Sequence, residues 1–378
     1  MNFPKEHYRE IGYEDVGYEC PVLSSKEEYP DYIAREVVEK SAEIFDTQGF
    51  ETLSFGVMAD IHLANNENHL VRWKRTVNAY KEIARRTGVD RLILAGDLTN
   101  EGEKQYKAEC FRLLRRELFG IDYFPVNGNH DDGTIWDKYY IEKESDWQNH
   151  LTQQERYNLL YNHLEGLGAK FDKKGKGLYY YIDDNAKKTR FIFLDAQDVP
   201  LDVRDADGKL LFEGQHNYAY SQKQIDWLIN DALCFDEEGW GIIIATHIMP
   251  IDSKWDDGTR GRIMFLHDLL SAYKNSERYV YKCDEMYLEL DIDVDFSKRI
   301  KAEIILTVGG HDHTDWVVKK DGLVYVETAN CVMYKANEKR IDGDKSELLF
   351  DIFTVNRAQH RIYVTRIGYG ESRVVDYL

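Results

Sequence analysis

The sequence predicts an α/β protein, a largely parallel sheet covered by helices, and three observations point to it. Short apolar runs alternate along the chain with longer stretches whose apolar residues recur at helical spacing. The connections between the first runs are long enough for helical crossovers, which is what parallel neighbours require. Residues able to bind metals or move protons stand where the apolar runs end, the edge at which ligands collect in open α/β sheets. Neither an all-β nor an all-α fold survives this alternation.

Residues 1–30 are polar, sprinkled with aromatics and without period, and read as irregular. After Pro30, DYIAREVVEKSAEIF sets Ile33, Val37 and Ile44 on one helical face with Val38 and Phe45 beside them, an amphipathic helix that packs on the elements next in the chain. LSFGVMAD (53–60) reads as a buried strand and HLVRWKRTVNAYKEIARRTG (69–88) as a helix closed by Gly88. RLILAGD (91–97), EKQYKAECFRLLRRELF (103–119) and DYFPVNGNH (122–130) continue as strand, helix and strand. A polar, helical excursion is expected at 136–168, then a hairpin of YYYID (179–183) and FIFLDAQ (191–197) around the turn-forming DNAKK. SQKQIDWLINDAL (221–233) predicts a helix with Ser221 at its N-cap, and GIIIATH (241–247) a buried strand ending in histidine. Residues 250–300 are mixed and charged, a second excursion. EIILTVGGHDH (303–313) is a strand running into a Gly-Gly turn, and GLVYVETAN and FDIFTVN…HRIYVTRIG suggest antiparallel pairs. No repeat or low-complexity linker divides the chain. The expected organisation is an irregular segment plus packing helix at 1–50 and one catalytic-size domain at 51–378, whose two excursions build the rim of a pocket.

Composition narrows the function. The 378 residues hold 49 Lys+Arg against 68 Asp+Glu, a net charge of −19. Such a surface repels polyanions, so a stable nucleic-acid partner or an anionic membrane is not expected. The five cysteines (Cys20, Cys110, Cys234, Cys283, Cys331) are odd in number, dispersed and never in a C-x-x-C pair, which argues against a disulfide scaffold or a cysteine zinc site and fits a reducing compartment. No apolar run approaches the ~20 residues that cross a bilayer, and the first residues lack the apolar core of a secretory signal. A cytoplasmic location is expected.

Taken together, the strand ends supply Asp60 and His62, Asp97, Asn129 and His130, His247, and His311 and His313. Two carboxylates, one amide and five imidazoles without a thiolate suit first-row divalent ions. The set is too large for one ion, and a shared carboxylate lets two sit ~3.5–4 Å apart.

The order D-x-H, G-D, G-N-H, H, G-H-x-H resembles the calcineurin-like metallophosphoesterase superfamily, all five motifs being present in order over residues 60–313. The resemblance implies a four-layer αββα sandwich, two mixed sheets flanked by helices. It further implies that Asp60, His62, Asp97 and His313 hold one ion and that Asp97, Asn129, His247 and His311 hold a second, with Asp97 bridging. The ions would be Mn²⁺ ahead of Fe or Zn. His130 would stand over the leaving-group oxygen as general acid while a metal-bridging hydroxide attacks phosphorus in line. Protein Ser/Thr phosphatases of the superfamily read G-D-x-x-D-R-G and G-N-H-E where this chain has GDLTNEG and GNHDD. It is more similar to the bacterial phosphodiesterase- and phosphohydrolase-type branches, with small nucleotide-like or other phosphorylated metabolites as substrates.

Outside the motifs, Arg260 and Arg262 are candidate phosphate clamps against the alternative of a solvated loop. Asp131 and Asp132 either orient His130 or simply open the next loop, and Asp312 is not expected to be a ligand. Two rival functions stay open: a non-catalytic scaffold of the same fold, and a metal-dependent nuclease, the latter opposed by the net charge.

Overall fold

The computed structural model describes residues 29–100, 102–134, 150–173, 177–214, 216–252, 260–333 and 339–377. The reading of residues 1–28 as irregular, the first part of the 136–168 excursion and residues 255–259 lie outside them. The chain starts with α1 (Asp31–Thr47), β1 (Thr52–Met58), α2 (Glu67–Thr87), β2 (Arg91–Leu94), α3 (Lys104–Glu117) and β3 (Asp122–Pro125). The expected alternation is therefore present, and β1, β2 and β3 pair in parallel. Asn66 caps α2 by accepting the His69 N–H at 3.0 Å, and Gly88 closes it in the left-handed conformation. On α1, Ile33, Val37 and Ile44 are buried as predicted. Val38 and Phe45 are not, being 52% and 55% exposed, because the buried stripe of this helix is narrower than the apolar arc of its sequence.

Short helical turns over Gln153–Arg156 (α4), Tyr157–Tyr161 and Asn162–Leu167 lead into β4 (Lys170–Phe171), β5 (Tyr180–Asp184) and β6 (Thr189–Leu194). The hairpin expected from DNAKK is the antiparallel β5–β6 pair. Then come α5 (Gln222–Trp227), prolonged by a π turn to Ala232, and β7 (Gly241–Thr246). The second excursion holds more regular structure than its charge suggests: α6 (Phe265–Asn275) and a separate antiparallel hairpin of β8 (Arg278–Cys283) and β9 (Leu290–Asp295). The last strands are β10 (Glu303–Gly309), β11 (Trp316–Lys320), β12 (Leu323–Glu327), β13 (Leu349–Asn356), β14 (Arg361–Gly368) and β15 (Arg373–Asp376).

These strands form two mixed sheets, in the order β15-β14-β13-β1-β2-β3 and β11-β12-β10-β7-β6-β5-β4. Between them lies an apolar core in which Phe55 of β1 meets Phe191 of β6 edge-on, ring centres 5.4 Å apart, and Phe124 of β3 meets Phe193 of β6 at 5.8 Å. Helices cover the outer faces. On the first sheet Tyr80 of α2 packs on Phe350 of β13; on the second, Ile242 and Ile244 share a core with Leu228 and Leu269. The architecture is the four-layer αββα sandwich.

The two sheets are also joined by charge. Arg366 on β14, buried, donates from Nε to Asp351 on β13 at 2.7 Å and from Nη2 to Asp315 at 2.6 Å. Arg373 on β15 donates to Asp351 at 2.6 Å, and the Thr328 hydroxyl to the same carboxylate at 2.9 Å. Asp315 and Thr328 follow β10 and β12 of the second sheet, so the cluster ties the sheets together beside the loop that carries His311 and His313. Asp351→Ala takes from Arg366 and Arg373 one of the two carboxylates they share, Asp315 remaining to both, and a loss of about 1.5–3 kcal/mol is expected, read as a lowered midpoint in urea unfolding; a midpoint within error of the parent contradicts it.

Candidate metal centre

All the motif residues leave the carboxyl ends of parallel strands. Asp60 and His62 follow β1, Asp97 follows β2, Asn129 and His130 follow β3, His247 follows β7, and His311 and His313 follow β10. Of the ten non-glycine residues with positive φ among those described, five are here: Asp60 (49°), His62 (44°), Asp97 (49°), His311 (88°) and His313 (55°). Each such residue costs about 1–3 kcal/mol of backbone strain, and strain of this kind clusters at functional sites. It is held by backbone bonds that continue beyond the strands. The Asp60 N–H donates to Gly96 O at 3.1 Å, His62 N–H to Asp97 O at 2.8 Å, and Gly310 N–H to His247 O at 3.1 Å. Glycine is needed where these ends touch. At Gly96 (φ 90°) a β-carbon would stand 2.4 Å from His247 Nδ1, and at Gly128 one would stand 1.9 Å from the Asp97 nitrogen.

Two ligand groups result, Asp60, His62, Asp97 and His313 in one and Asp97, His247 and His311 in the other; within each, the ligand atoms lie within 4.8 Å of one another. In the first, His62 Nε2 is 2.9 Å from His313 Nε2 and 3.5 Å from Asp97 Oδ2, and His313 Nε2 is 3.5 Å from Asp60 Oδ1. Beside the second, Asn129 Oδ1 lies 2.9 Å from His247 Nε2 and 3.0 Å from His311 Nδ1. Asp97 Oδ1 is 3.3 Å from His247 Nε2, so its two oxygens face the two groups. His247 Nδ1 lies 2.8 Å from the Ala95 carbonyl, which can only accept, so Nδ1 carries a proton and Nε2 is turned to the centre.

Electrostatics fit cations at these positions. Burial pushes the Asp60 carboxyl up to about 6 and draws the His62 and His311 rings well below the ordinary histidine range, into the neutral form that ligates. At His247 burial pulls down, but the Asp97 carboxylate prevails and holds the ring at about 9. Burial likewise opposes the charge on Asp97, and His247 and His130 overcome it, holding the carboxyl well below its usual range. Asp97 thus gathers positive charge from its neighbours, a role that divalent ions fill by displacing protons.

The structure brings Asp60, His62, Asp97, Asn129, His247, His311 and His313 together. His130 stands at their edge, its side chain 15% exposed, with Nε2 3.9 Å from Asp97 Oδ2 and its ring 4.9 Å from that of His62. Arg260 is buried and donates from Nη2 to Asp312 at 3.1 Å. Arg262 donates to Glu285 at 3.0 and 2.6 Å and to Asn217 at 3.0 Å, turned to the second excursion. Asp131 grips backbone, accepting the N–H groups of Thr99 and Gly128 at 2.9 Å each, and Asp132 accepts from Thr134.

Sequence reasoning missed several supports. Lys107, fully buried, donates from Nζ to the carbonyls of His130 and Asn100. Glu327 accepts the Asp312 N–H at 2.9 Å, and the Tyr218 hydroxyl lies 3.4 Å from His311 Nε2. A lysine inside the helical pattern of α3 was a signal, because its position falls on the buried face between Phe111 and Leu114.

The family model for calcineurin-like phosphoesterases matches residues 53–315, which spans every ligand. The chain belongs to the calcineurin-like phosphoesterase family. A dimetal phosphatase from Danio rerio is 14% identical, with 86% of this chain and 99% of that one covered and a TM-score of 0.52. A predicted phosphoesterase from Streptococcus pneumoniae is 10% identical over 86% and 97% of the chains, with a TM-score of 0.32. A phosphopantetheinyl hydrolase from Mycobacterium tuberculosis is 12% identical over 73% and 89%, with a TM-score of 0.34. Of these three, the first alone is near enough in shape to speak to the fold. No curated protein matches the sequence. Among the described residues no helix is long and apolar enough to cross a membrane.

Asp97 is the residue common to both candidate groups. Asp97→Asn removes the common charge and should cut bound divalent metal from about two ions per chain at both positions, as read by elemental analysis; unchanged metal content contradicts the shared role.

Proposed function

We propose that this chain is a two-metal phosphoric ester hydrolase acting on a monoester or diester of a small nucleotide-like or other phosphorylated metabolite, with His130 as general acid. The observation that supports it is the pair of ligand groups joined through one carboxylate, Asp97, with His130 at their edge. Two divalent ions, Mn²⁺ ahead of Fe or Zn, would be held by Asp60, His62, Asp97 and His313 and by Asp97, Asn129, His247 and His311. Such ions acidify water and polarise a phosphoryl oxygen.

The protein's own part is to place and protonate. His130 N–H donates to Asp97 Oδ1 at 2.8 Å and its carbonyl accepts from Lys107, so its backbone is fixed relative to the shared carboxylate. The ring Nε2 then delivers its proton to the departing alcohol oxygen, which leaves neutral. The departures of GDLTNEG and GNHDD from the Ser/Thr phosphatase pattern favour the bacterial phosphohydrolase- and phosphodiesterase-type branches. The five dispersed cysteines favour the cytoplasm.

His130→Ala should retain both ions yet slow turnover of p-nitrophenyl phosphate or its bis ester by ~10²–10⁴. A strong chelator should abolish the activity of the parent protein and Mn²⁺ restore it. Parent-like rates in the variant end the general-acid role, and chelator-insensitive hydrolysis ends the two-metal reading.

A further inference from the structure

A cavity of about 750 Å³ opens at the end of the second sheet opposite the metal centre. Trp240, just before β7, and Glu303, the first residue of β10, are in its wall, whereas His247 and His311 follow the far ends of the same two strands. The length of a six- or seven-residue strand, about 20 Å, separates the two places. The lining reverses the charge of the molecule. Lys274, Lys298, Arg299, Lys301 and Arg357 stand there against two carboxylates, Glu238 and Glu303, a local excess of three positive charges in a chain of net −19.

Neutral oxygens anchor most of these cations, fixing them without cancelling their charge. Lys274 Nζ donates to Gly322 O at 2.8 Å, and Lys301 Nζ to Lys274 O at 2.8 Å. Arg357 Nη1 donates to Gly239 O at 2.9 Å, and Arg299 Nη1 to Ile229 O. The nearby carboxylates are engaged in several directions. Glu303 is divided between Arg357 at 3.3 Å and His360 at 3.1 Å. Asp295 accepts the Ser297 N–H at 2.9 Å, and Asp321 Oδ2 lies 2.9 Å from His267 Nε2. Like charges gathered in this way repel one another until an anion lies among them.

We propose that this cavity binds a polyphosphate chain, free or carried on a nucleoside, at a site separate from the metal centre. The cations come from α6, from the stretch before β10 and from the turn after β13, so they surround the cavity instead of converging on one point. A string of linked charges meets more of them than a single phosphate does, and ammonium and guanidinium groups both suit phosphate oxygens. Half-buried Trp240 and Ile300, 39% exposed, add an apolar surface of the kind on which a base stacks. The volume is that of a small-ligand site, roughly 300–1,000 Å³. The net negative surface does not oppose this, because fields are screened beyond about 8 Å and the lining itself is positive. The proposal does not depend on the hydrolase reading.

The test uses the full chain, freed of divalent metal by a chelator and dialysed, so that no ion draws phosphate to the strand ends. Inorganic phosphate, inorganic triphosphate, adenosine triphosphate and citrate (a trianion of another shape) are titrated calorimetrically. They are added to the parent, to a double variant carrying Lys298→Gln and Lys301→Gln, and to Asp97→Asn. The parent should bind triphosphate with a Kd below about 1 mM and more tightly than phosphate or citrate. The double variant should weaken it by about 10-fold or more, the scale of a lost charge-assisted bond, and Asp97→Asn should leave it unchanged. Adenosine triphosphate binding more tightly than triphosphate assigns the nucleoside form, and equal or weaker binding the free chain. A parent that binds triphosphate no better than phosphate or citrate overturns the proposal even if the double variant does not fold. So does a double variant of parent affinity, or lost binding in Asp97→Asn, which moves the anion to the metal centre. Each of these results leaves the hydrolase reading standing.

Discussion

A single carboxylate, buried and shared, sets the demands that the rest of this molecule meets. Asp97 is 1% exposed, and a carboxylate removed from water to that degree persists in charged form only with cations around it. Imidazoles stand on both sides of it, His247 against Oδ1 and His62 and His130 against Oδ2, and the two candidate cation positions share it. No one element could present so many groups to one residue. Five strands from two sheets have to end at one point, and the αββα sandwich is an arrangement in which they do.

Bringing the strands there has a structural cost that is visible in the backbone. Five ligand residues adopt left-handed conformations, and the strand ends approach so closely that Gly96 and Gly128 admit no side chain. The cost is offset by order around the site. Backbone bonds from one strand end to the next continue past the sheets, Cys331 N–H donates to Ala59 O at 2.7 Å, and the Arg366–Asp315–Asp351 cluster clamps the loop after His313 to the far strands. These bonds fix the candidate ligands relative to one another, the kind of support that a precise metal site needs.

The gathering of the motif residues and the first βαβαβ unit were legible in the sequence because each of those residues closes an apolar run, and position along the chain then maps onto position at a sheet edge. What was not legible depends on packing across the chain. The alternation of Leu290, Ile292 and Val294 with three aspartates spells a half-buried strand, yet the charge of the segment hid it. Whether Val38 and Phe45 are covered depends on where neighbouring elements end, which periodicity along α1 does not contain. Asp131 sits where an imidazole-orienting carboxylate would, but the nearest unmatched donors were the N–H groups of Thr99 and Gly128, and it bonds those. Arg260 and Arg262 looked equivalent two residues apart; one turns inward to Asp312 and the other outward to Glu285.

The central claim is that Asp97 joins two cation positions into one centre. Anomalous X-ray scattering from crystals grown with Mn²⁺ tests it most directly. Two peaks about 3.5–4 Å apart, one oxygen of Asp97 on each, with His62 and His313 at one and His247 and His311 at the other, are the predicted result. A single peak, or peaks that Asp97 does not bridge, contradicts the account.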